Sequence, residues 1–573
     1  MPSNENNENN PLYPRRAVVQ GALKIMIGST AAQVFGESAT TSVNKPMAHR
    51  AINIMNFIRG DEPREKTDLM EPVREQMALI KAHSFPATWL LQYDALVDGP
   101  FVEFLKTEMP ASHEVGIWFE MNRRICDDAG IAWRGNPDWE WDYHVPVAYP
   151  IGYTPDERRR LADTAAATFK RVFGRDLKSV ASWNLDAVTV AHFSDKYAID
   201  AFGNCRDQIA TDGFTIWGCP IAGYYPNRVN AWSPAVDAAN QISSPIFRLL
   251  GQDPTYYYGE GIPAPDTMEP VWDTGRNEIF VDRFLDMIAN APTQEFGYAQ
   301  LGQENSFGWP SMRQAYPMQM EKLAKARSEG HLTVETMGDS GRRFKRAFKS
   351  TPPQAQVMLE DSLGRSSPPQ RSIWYQSKYL RANLHFRGNQ FYLRDLHVYN
   401  DKYPQPYLTD PVRQHGIEQR MLAVLDGYHW SDDEARGGRN GRRAMGRFAL
   451  IDATGHERSL EMLGIPAVAE NSSELTTEIS LKGGGRFRAV FTDKQIDLHV
   501  TGVPAASQFA LIFEWEASRS AIRQVKPNQL NYTFNAFDYS VRVGGGKAKQ
   551  TEGGVIILAG SANSLRLHLD QGA

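Results

Sequence analysis

The sequence predicts an α/β protein with a barrel of seven or eight β/α units, followed by an all-β domain of sandwich type. The chain has 573 residues, which is too many for one ordinary core. From about residue 51 to 348, short apolar stretches alternate with amphipathic helical stretches. After Pro352-Pro353, alternating apolar and polar residues separated by turn signals take over, which is typical of antiparallel strands.

Residues 1–45 are predicted to be an export signal and linker. Polar residues precede Pro14-Arg15-Arg16, and a mildly apolar stretch runs from Ala17 to about Phe35. An arginine pair before a short apolar run resembles a twin-arginine export signal. The alternative is an amphipathic first helix. The export interpretation places the mature protein in the periplasm or outside the cell.

The barrel is predicted over residues 46–352. Its candidate strands are short apolar runs: Ala51–Ile58, Ala87–Tyr93, Glu114–Glu120, Ser179–Leu185, Phe214–Gly218, Phe296–Gly302 and Leu332–Met337. The clearest helix is Pro155–Phe173, whose apolar residues recur every four positions. Folds of this kind place their chemistry at the carboxyl ends of the strands, so the candidate functional residues are sought there.

The sandwich-like domain is predicted over residues 353–573. Leu380–Phe386 and Phe391–Val398 flank Gly388-Asn389, a hairpin turn signal. Phe487–Phe491 and Ile496–Val500 flank a short polar turn in the same way. Strand-rich segments continue at Phe509–Trp515, Asn531–Val543 and Val555–Leu569.

Composition excludes some partners. The net charge of -5 gives no electrostatic case for binding nucleic acid. After the signal, no segment approaches the roughly 18 apolar residues of a membrane span, so none is expected. The sequence carries no signal for an oligomeric state. Aromatic residues make up 11% of the chain, which is typical either of a large core or of stacking against sugar rings.

The first candidate strand ends in Arg59-Gly60-Asp61-Glu62-Pro63. On the barrel interpretation, Arg59 and Asp61 lie at the barrel mouth. The alternative is a capped helix start, since Asp before Glu-Pro is good capping chemistry.

The third candidate strand carries the strongest functional signal, in His113-Glu114-Val115-Gly116-Ile117-Trp118-Phe119-Glu120-Met121-Asn122. Alternation places Trp118 and Glu120 on the same face, with Glu120 at the carboxyl end. An indole orients a sugar ring, and a carboxylate attacks or protonates the anomeric centre. The alternative is that Trp118 is core and Glu120 caps the next helix.

The order of three motifs resembles the glycoside hydrolase/deacetylase superfamily, which includes NodB-homology polysaccharide deacetylases and family 57 glycoside hydrolases. These motifs are Gly60-Asp61-Glu62-Pro63, Ala87-Thr88-Trp89-Leu90-Leu91 and His113-Glu114-Val115-Gly116. In architecture the chain is similar to uncharacterised bacterial glycoside hydrolase/deacetylase proteins, a barrel followed by a β-domain. The resemblance implies a carbohydrate substrate.

The sequence departs from the deacetylase pattern at the metal site. In those enzymes two histidines four residues apart bind the metal, and here Trp118 and Asn122 take their places. Indole is not a metal ligand and Asn is a weak one, so no cofactor is predicted and a divalent metal is only an alternative. His113, His144 and His192 with Asp61 would supply ligands, but their spacing matches no familiar pattern.

A carboxylate mechanism requires a second acid, and Glu304 is the candidate because it follows a late strand. Family 57 enzymes place their acid/base in a similar position. The alternatives are a helix-capping role for Glu304, and Asp186 as the second carboxylate. We predict Glu120 as nucleophile or general base, Glu304 as general acid, and Asp61 as support through charge or hydrogen bonding.

Substrate contacts are predicted for side chains near the strand ends and in the inserted segment 133–144. That segment is rich in Trp and acidic residues and is expected over the barrel mouth, with packing on the barrel rim as the alternative. The predicted substrate-binding residues are Trp118, Trp183, Asp186, Trp217, Trp139, Asn305, Trp309 and Arg59.

These features together predict an exported glycoside hydrolase that cleaves an oligo- or polysaccharide with a carboxylate pair. Two alternatives stay open: a metal-dependent polysaccharide deacetylase, and a non-catalytic glycan-binding protein.

Overall fold

A computed structural model describes residues 48–573 except 212, 257–266, 365–367, 431–444, 516–519 and 571–573. The predicted export signal, residues 1–45, lies outside the described residues. Met47–Ala573 cluster as one compact unit. Within the described ranges, none of the helices combines the length and the apolar character that crossing a bilayer requires.

The first part of this unit alternates strands and helices. In chain order these elements are β1 (His49–Ile58), α1 (Met70–Ala82), β2 (Thr88–Leu91), α2 (Tyr93–Val97), α3 (Gly99–Glu108), β3 (Glu114–Trp118), α4 (Arg123–Asp128), α5 (Val145–Ala148), α6 (Pro155–Phe173), β4 (Ser179–Ser182), α7 (Ala187–Tyr197), β5 (Ala201–Asn204), β6 (Gln208–Thr211), β7 (Phe214–Trp217), β8 (Gly223–Tyr224), β9 (Pro226–Asn227), β10 (Asn230–Pro234), β11 (Ile246–Arg248), α8 (Asp273–Arg276), α9 (Glu278–Asn290), β12 (Phe296–Leu301), α10 (Trp309–Met312), α11 (Ala315–Ser328), β13 (Thr333–Glu335) and α12 (Met337–Ala347).

The main sheet of this part is a curled half-barrel with strand order β12-β1-β2-β3-β4-β5-β11-β8, and β13 also pairs with β1. The described pairings are parallel except for that of β8 with β11. β1 lies inside the sheet, and nine of its ten residues are buried. The carboxyl ends of the parallel strands therefore converge on one rim, as the predicted α/β fold class requires.

The long helix α6 forms where the sequence predicts it, because its ends are marked by capping residues. The Thr154 hydroxyl accepts the Glu157 amide while Glu157 accepts the Thr154 amide, a capping box with Pro155 in the first turn. Gly174 ends the helix with a positive φ of 68°.

One of the predicted barrel strands is wrong. Phe214–Gly218 contains β7, which lies outside the half-barrel in a three-stranded sheet of order β18-β7-β6. Its place in the half-barrel is taken by β5 and β11, which the sequence did not indicate. Strands of three or four residues carry too few alternations for a periodicity signal.

The second part of the unit is rich in antiparallel strands. These are β14 (Gln354–Met358), β15 (Gln370–Gln376), β16 (Leu380–Arg387), β17 (Gln390–Val398), β18 (Ile417–Arg420), β19 (Leu422–Asp426), β20 (Gly446–Ile451), β21 (Glu457–Ser459), β22 (Met462–Glu470), β23 (Glu474–Leu481), β24 (Arg486–Thr492), β25 (Gln495–Thr501), β26 (Gln508–Glu514), β27 (Ile522–Lys526), β28 (Gln529–Phe534), β29 (Phe537–Gly544), β30 (Gly546–Thr551), β31 (Gly554–Ala559) and β32 (Ser564–His568).

Two sheets face each other across one aromatic and aliphatic core, so the sandwich-like prediction is confirmed. One follows the order β14-β15-β16-β17-β20-β26-β31-β30, and the other β22-β23-β24-β25-β32-β29-β28-β27. Phe391 of the first sheet packs on Phe487 of the second, with 5.1 Å between ring centroids. The strand-rich segment predicted at Asn531–Val543 is a hairpin, because Asn535 and Ala536 both adopt positive φ and turn the chain.

The half-barrel and the sandwich share buried contacts. β18 follows the first sandwich strands in the chain but pairs in parallel with β7. Arg381 of β16 binds Asp207 at 2.7 Å and Asp395 at 3.0 Å, and all three side chains are fully buried. Removing one member of such a cluster leaves an uncompensated charge in a low-dielectric interior, so these contacts tie the two parts together.

Gly302 is expected to be essential for the end of β12. Its φ is +115°, and a Cβ there would lie 2.1 Å from the Met55 carbonyl oxygen of β1. We expect Gly302→Ala to destabilise the protein by about 3–5 kcal/mol, since strain and overpacking add. Thermal unfolding followed by circular dichroism measures this.

Gly330→Ala is the matched control for Gly302→Ala. The φ of Gly330 is also positive, at +82°, but a Cβ at this position would have no atom within 4 Å. We expect a loss of only about 1 kcal/mol, because backbone strain acts alone. Equal losses in the two variants would contradict the clash argument.

Candidate functional site

Arg59 stands at the centre of the site, immediately after β1. Its guanidinium donates through Nη1 to Glu120 Oε2 at 2.5 Å and through Nη2 to Glu304 Oε2 at 3.2 Å. All three residues are buried, with at most 1% of each exposed. The two predicted catalytic carboxylates thus share one buried cation, and the structure brings them together.

Glu120 reaches this centre because the chain leaves β3 at Trp118. Gln92, directly after β2, donates to Glu120 Oε2 at 3.3 Å. Burial raises the pKa of Glu120 to about 7, with a further rise from the nearby Glu304 charge, while Arg59 opposes the change. Two carboxylates and one guanidinium carry an excess negative charge, which favours one proton on the pair near neutral pH.

Glu304 is positioned by the turn after β12. The Glu304 amide donates to Gln303 Oε1, and the Gln303 amide donates to Asn56 Oδ1 at the end of β1. Ser306 donates its hydroxyl to Glu304 Oε1 at 2.6 Å. Both carboxylate oxygens of Glu304 therefore accept hydrogen bonds, and these bonds fix its orientation.

Asn305 was predicted to bind substrate, and the structure shows its amide engaged with the backbone. Asn305 Oδ1 accepts the Arg59 amide at 2.9 Å, and Nδ2 donates to the carbonyls of Arg59 and Leu69, each at 3.0 Å. These bonds hold the Arg59 backbone, so Asn305 is a positioning residue for the central cation.

The outer side of Arg59 is covered by Trp141, which is 2% exposed. The guanidinium carbon lies 4.0 Å from the centroid of the indole ring, a cation–π contact. Trp141 belongs to the inserted segment 133–144, which therefore lies over the rim as predicted. Trp139 of the same segment is half-buried and packs near Tyr143.

Several buried polar atoms around this rim make no hydrogen bond of acceptable geometry within the described residues. They belong to residues at or near the ends of β1, β2 and β3 and to the covering segment: Asn56 Nδ2, Arg59 Nε, Gln92 Oε1, Trp118 Nε1, Glu120 Oε1, Asn122 Nδ2 and Trp141 Nε1. The Trp118 indole lies close enough to Glu120 to lower its pKa but does not meet hydrogen-bond geometry. Buried unsatisfied groups are costly. Similar atoms occur elsewhere in the described chain, and those at this rim suit a polar ligand because they lie beside the two carboxylates.

Trp118 and Trp183 form part of an aromatic stack beneath the rim. Trp118 stacks on Phe57 with ring centroids 4.1 Å apart, and Trp183 meets Trp118 edge-on at 4.8 Å. Trp118 is fully buried, and Trp183 is 9% exposed. Of the two, Trp183 is the one with surface left to meet a ligand.

Asp61 follows β1, two residues after Arg59. Burial and the neighbouring Glu62 raise the pKa of Asp61, and a backbone hydrogen bond from Glu140 opposes this. Asp61 therefore contacts the covering segment. Its predicted support of the carboxylate pair stays a prediction.

The remaining predicted substrate residues have other contacts. Asp186 caps α7 and binds Arg158 at 2.9 Å, with both side chains buried. Trp217 packs with Trp374 and Tyr428. Trp309 begins α10 and packs near Tyr316. None of these contacts, as described, reaches the Arg59 centre.

The residues at the expected metal positions do not fit a metal. Trp118 lies in the aromatic stack, and Asn122 Oδ1 accepts the Ile125 amide as the cap of α4. The three candidate histidines are dispersed, since each contacts a partner of its own: Trp89 for His113, Asp142 for His144 and Asp163 for His192. Among the described side chains, no group of three or more His, Cys, Asp and Glu is arranged to hold an ion.

Sequence reasoning missed Gln92 and the role of Trp141. Gln92 directly follows β2 on the same rim as Arg59 and Glu120, so the rule of strand carboxyl ends was sufficient to find it. Trp141 was in the inserted segment that drew attention, but three tryptophans lie within it and the pattern does not tell which one faces inward.

Structural comparisons find solved structures that resemble this chain in fold. No family model matches the sequence, and no curated protein matches it. A structure from Parabacteroides distasonis described as a glycoside hydrolase/deacetylase is 16% identical, with a TM-score of 0.45, covering 66% of this chain and 92% of that one.

Two further structures are described as polysaccharide deacetylases. One, from Mycobacterium smegmatis, is 13% identical with a TM-score of 0.34, covering 54% of this chain and 95% of that one. The other, from Pseudomonas aeruginosa PAO1, is 13% identical with a TM-score of 0.32, covering 54% of this chain and 96% of that one.

Glu120 is expected to make stability depend on pH. Its folded-state pKa of about 7 lies above the ordinary 4.5, so the folded protein holds a proton that the unfolded chain has released. This stabilisation is present below about pH 4.5 and is lost as pH rises through about 7. The Gln side chain does not titrate. We therefore expect the free energy of unfolding of Glu120→Gln to rise by about 1–3 kcal/mol relative to that of the wild type as the pH goes from 5 to 7.5.

Urea unfolding of both proteins at the two pH values measures this difference. Glu321→Gln, at an exposed position of α11, is the control and is expected to follow the wild type. A gap between Glu120→Gln and the wild type that does not change with pH would show that Glu120 has an ordinary pKa.

Proposed function

We propose that this chain is a carbohydrate-modifying hydrolase whose acid–base centre is the Glu120–Arg59–Glu304 cluster. The observation that carries the proposal is the pair of buried carboxylates on one guanidinium, at the rim where strand ends converge. Purely structural ion pairs also occur in protein cores. A group whose pKa is raised to about 7, beside unsatisfied polar atoms, is more typical of a site for proton transfer.

The chemistry follows from how the two carboxylates are held. Glu120 keeps one oxygen without a hydrogen bond of acceptable geometry in the described structure, so this oxygen is available to a ligand. Its pKa near 7 allows it to exchange a proton at neutral pH. Glu304 is held by Arg59 and Ser306, and we assign it the second acid–base role.

A carbohydrate substrate is supported by the surroundings of the pair. Unsatisfied donors on Asn56, Trp118 and Asn122 and acceptors on Gln92 and Glu120 suit a ligand that offers both hydroxyl groups and oxygen acceptors. The order of the three sequence motifs supports the same class. The arginine pair at Arg15-Arg16 supports action outside the cytoplasm, where polysaccharides are encountered.

Two finer activities are candidates within this class. Glycoside hydrolysis agrees with the carboxylate pair, because two acids flanking a bond are its usual requirement. Polysaccharide deacetylation agrees with the half-barrel, with the His113-Glu114-Val115-Gly116 motif and with the descriptions of the similar structures. The residues at the metal positions do not fit the metal-dependent form of that reaction.

The deciding experiment offers the purified protein a panel of acetylated and unacetylated polysaccharides. New reducing ends report glycoside hydrolysis, and free acetate reports deacetylation. We expect Glu120→Gln and Glu304→Gln each to lower kcat by at least about 100-fold, because each removes a group that transfers a proton.

Glu321→Gln is the control and is expected to keep full activity, since its side chain is exposed on α11. Full activity in either of the two centre variants would reject the proposed centre. If no substrate is turned over but a polysaccharide binds and the glutamine variants bind it equally, the protein is a glycan-binding protein instead.

A further inference from the structure

We propose that residues 133–144 form a lid whose Trp141 closes the acid–base centre and must swing away for a substrate to enter. This inference rests on the proposed function, because it assigns the covering segment a part in substrate access. The lid lies between α4 and α5.

The need for movement follows from burial. A substrate must contact Glu120 or Glu304 to exchange a proton with that carboxylate, yet these residues are at most 1% exposed. Arg59 is equally buried beneath the Trp141 ring. A sugar chain reaches these buried groups only if a covering group moves.

The lid is the part that is able to move without breaking the sheet. Gln92, which donates to Glu120, directly follows β2, and Asn305, which accepts the Arg59 backbone amide, is bonded to the chain just after β1. Residues 133–144 contain neither helix nor strand, and their strand-type pairing with the body is one isolated bridge, Asn122 with Trp141. Segments with few ladder bonds open at the lowest free-energy cost.

The closed position of the lid leaves the Trp141 indole N–H unsatisfied. Its indole N–H is buried and has no hydrogen-bond partner within the described structure. Buried indoles usually donate to a partner, and an orphaned donor costs free energy that opening to water recovers. The cation–π contact with Arg59 favours the closed position, whereas the unsatisfied indole N–H favours the open one.

Arg123 is one of the side chains that join the lid to the rest of the protein. Arg134 of the lid also donates to the Gly152 carbonyl and to the Glu157 carboxylate. Arg123 Nη2 donates to the carbonyls of Asn136 and Trp139, at 3.3 and 3.0 Å, and also to that of Pro137. Arg123 belongs to α4, so these bonds join the lid to the body. They do not involve Arg59 or either glutamate of the centre, which allows this attachment to be tested apart from the chemistry.

The lid is built to move as one piece. A Cβ on Gly135 would lie 2.4 Å from the Trp133 ring and 2.9 Å from Asp142, so these residues pack closely. Trp133 Nε1 donates to the Asn136 carbonyl, and the Asn136 amide donates to Asp142. Such internal bonds keep the shape of the segment while its attachment to the body changes.

Carboxyl footprinting with a carbodiimide and an amine, read by mass spectrometry, tests the lid on the full-length protein without an activity assay. If the lid opens, Glu120 becomes labelled at least about tenfold faster than Asp207, which is equally buried but held by two arginines. We expect Arg123→Ala to raise the Glu120 rate severalfold and to leave the Asp207 rate unchanged.

Arg159→Ala is the matched control, because it removes an exposed arginine whose contact is with Asp156 on α6. It is expected to leave the Glu120 rate unchanged. Hydrogen exchange on the wild type adds a measurement that needs no variant: amides in 133–144 are expected to exchange faster than those of α6.

Glu120 labelling no faster than that of Asp207 in the wild type and in Arg123→Ala would overturn the lid. Slow exchange throughout 133–144 would do so as well. These failures are distinct from failure of the proposed function, since labelling does not require turnover. An active protein with an unlabelled Glu120 keeps the function and rejects the lid, and an inactive protein with a labelled Glu120 does the reverse.

Discussion

The guanidinium of Arg59 lies between two carboxylates in a place that water does not reach in the described structure. Each charge would be costly alone, and their mutual attraction offsets this only when all three are held in register. β1 supplies the cation, β3 leads to Glu120, and β12 leads to Glu304. The pairing of these strands is therefore also what keeps the charges balanced.

The carboxyl-end rule explains how far the site could be predicted from sequence. Arg59, Glu120 and Glu304 each follow a strand that the apolar pattern revealed, and parallel strands bring such ends to one rim. What the pattern does not contain is their mutual order across the sheet. The position of β1 between β12 and β2 depends on pairings over hundreds of residues. The apolar pattern therefore could not predict that Arg59 bridges the two glutamates.

The aromatic residues show the same difference between what a local sequence pattern predicts and what depends on distant contacts. Trp118 and Trp217 both end short apolar strands and look alike in sequence, yet one lies beneath the rim and the other packs between the half-barrel and the sandwich. Burial alone does not separate a ligand-facing ring from a core ring. Helix α6 was predictable to the residue because its caps are local chemistry, whereas the partner of β7 lies about 200 residues away in the chain.

The pairing of β7 with β18 has a consequence for how the protein is made. A ribosome releases the half-barrel strands first, but β7 finds its partner only after residue 420 has emerged. Arg158 likewise donates to the carbonyls of Tyr407 and Leu408, and Asp207 binds Arg381, so these contacts also form only after the later residues are synthesised. The first part of the protein therefore gains some of its buried contacts only from chain that is synthesised after the last half-barrel strand. A protein truncated near residue 352 would lack the partners of β7, Arg158 and Asp207.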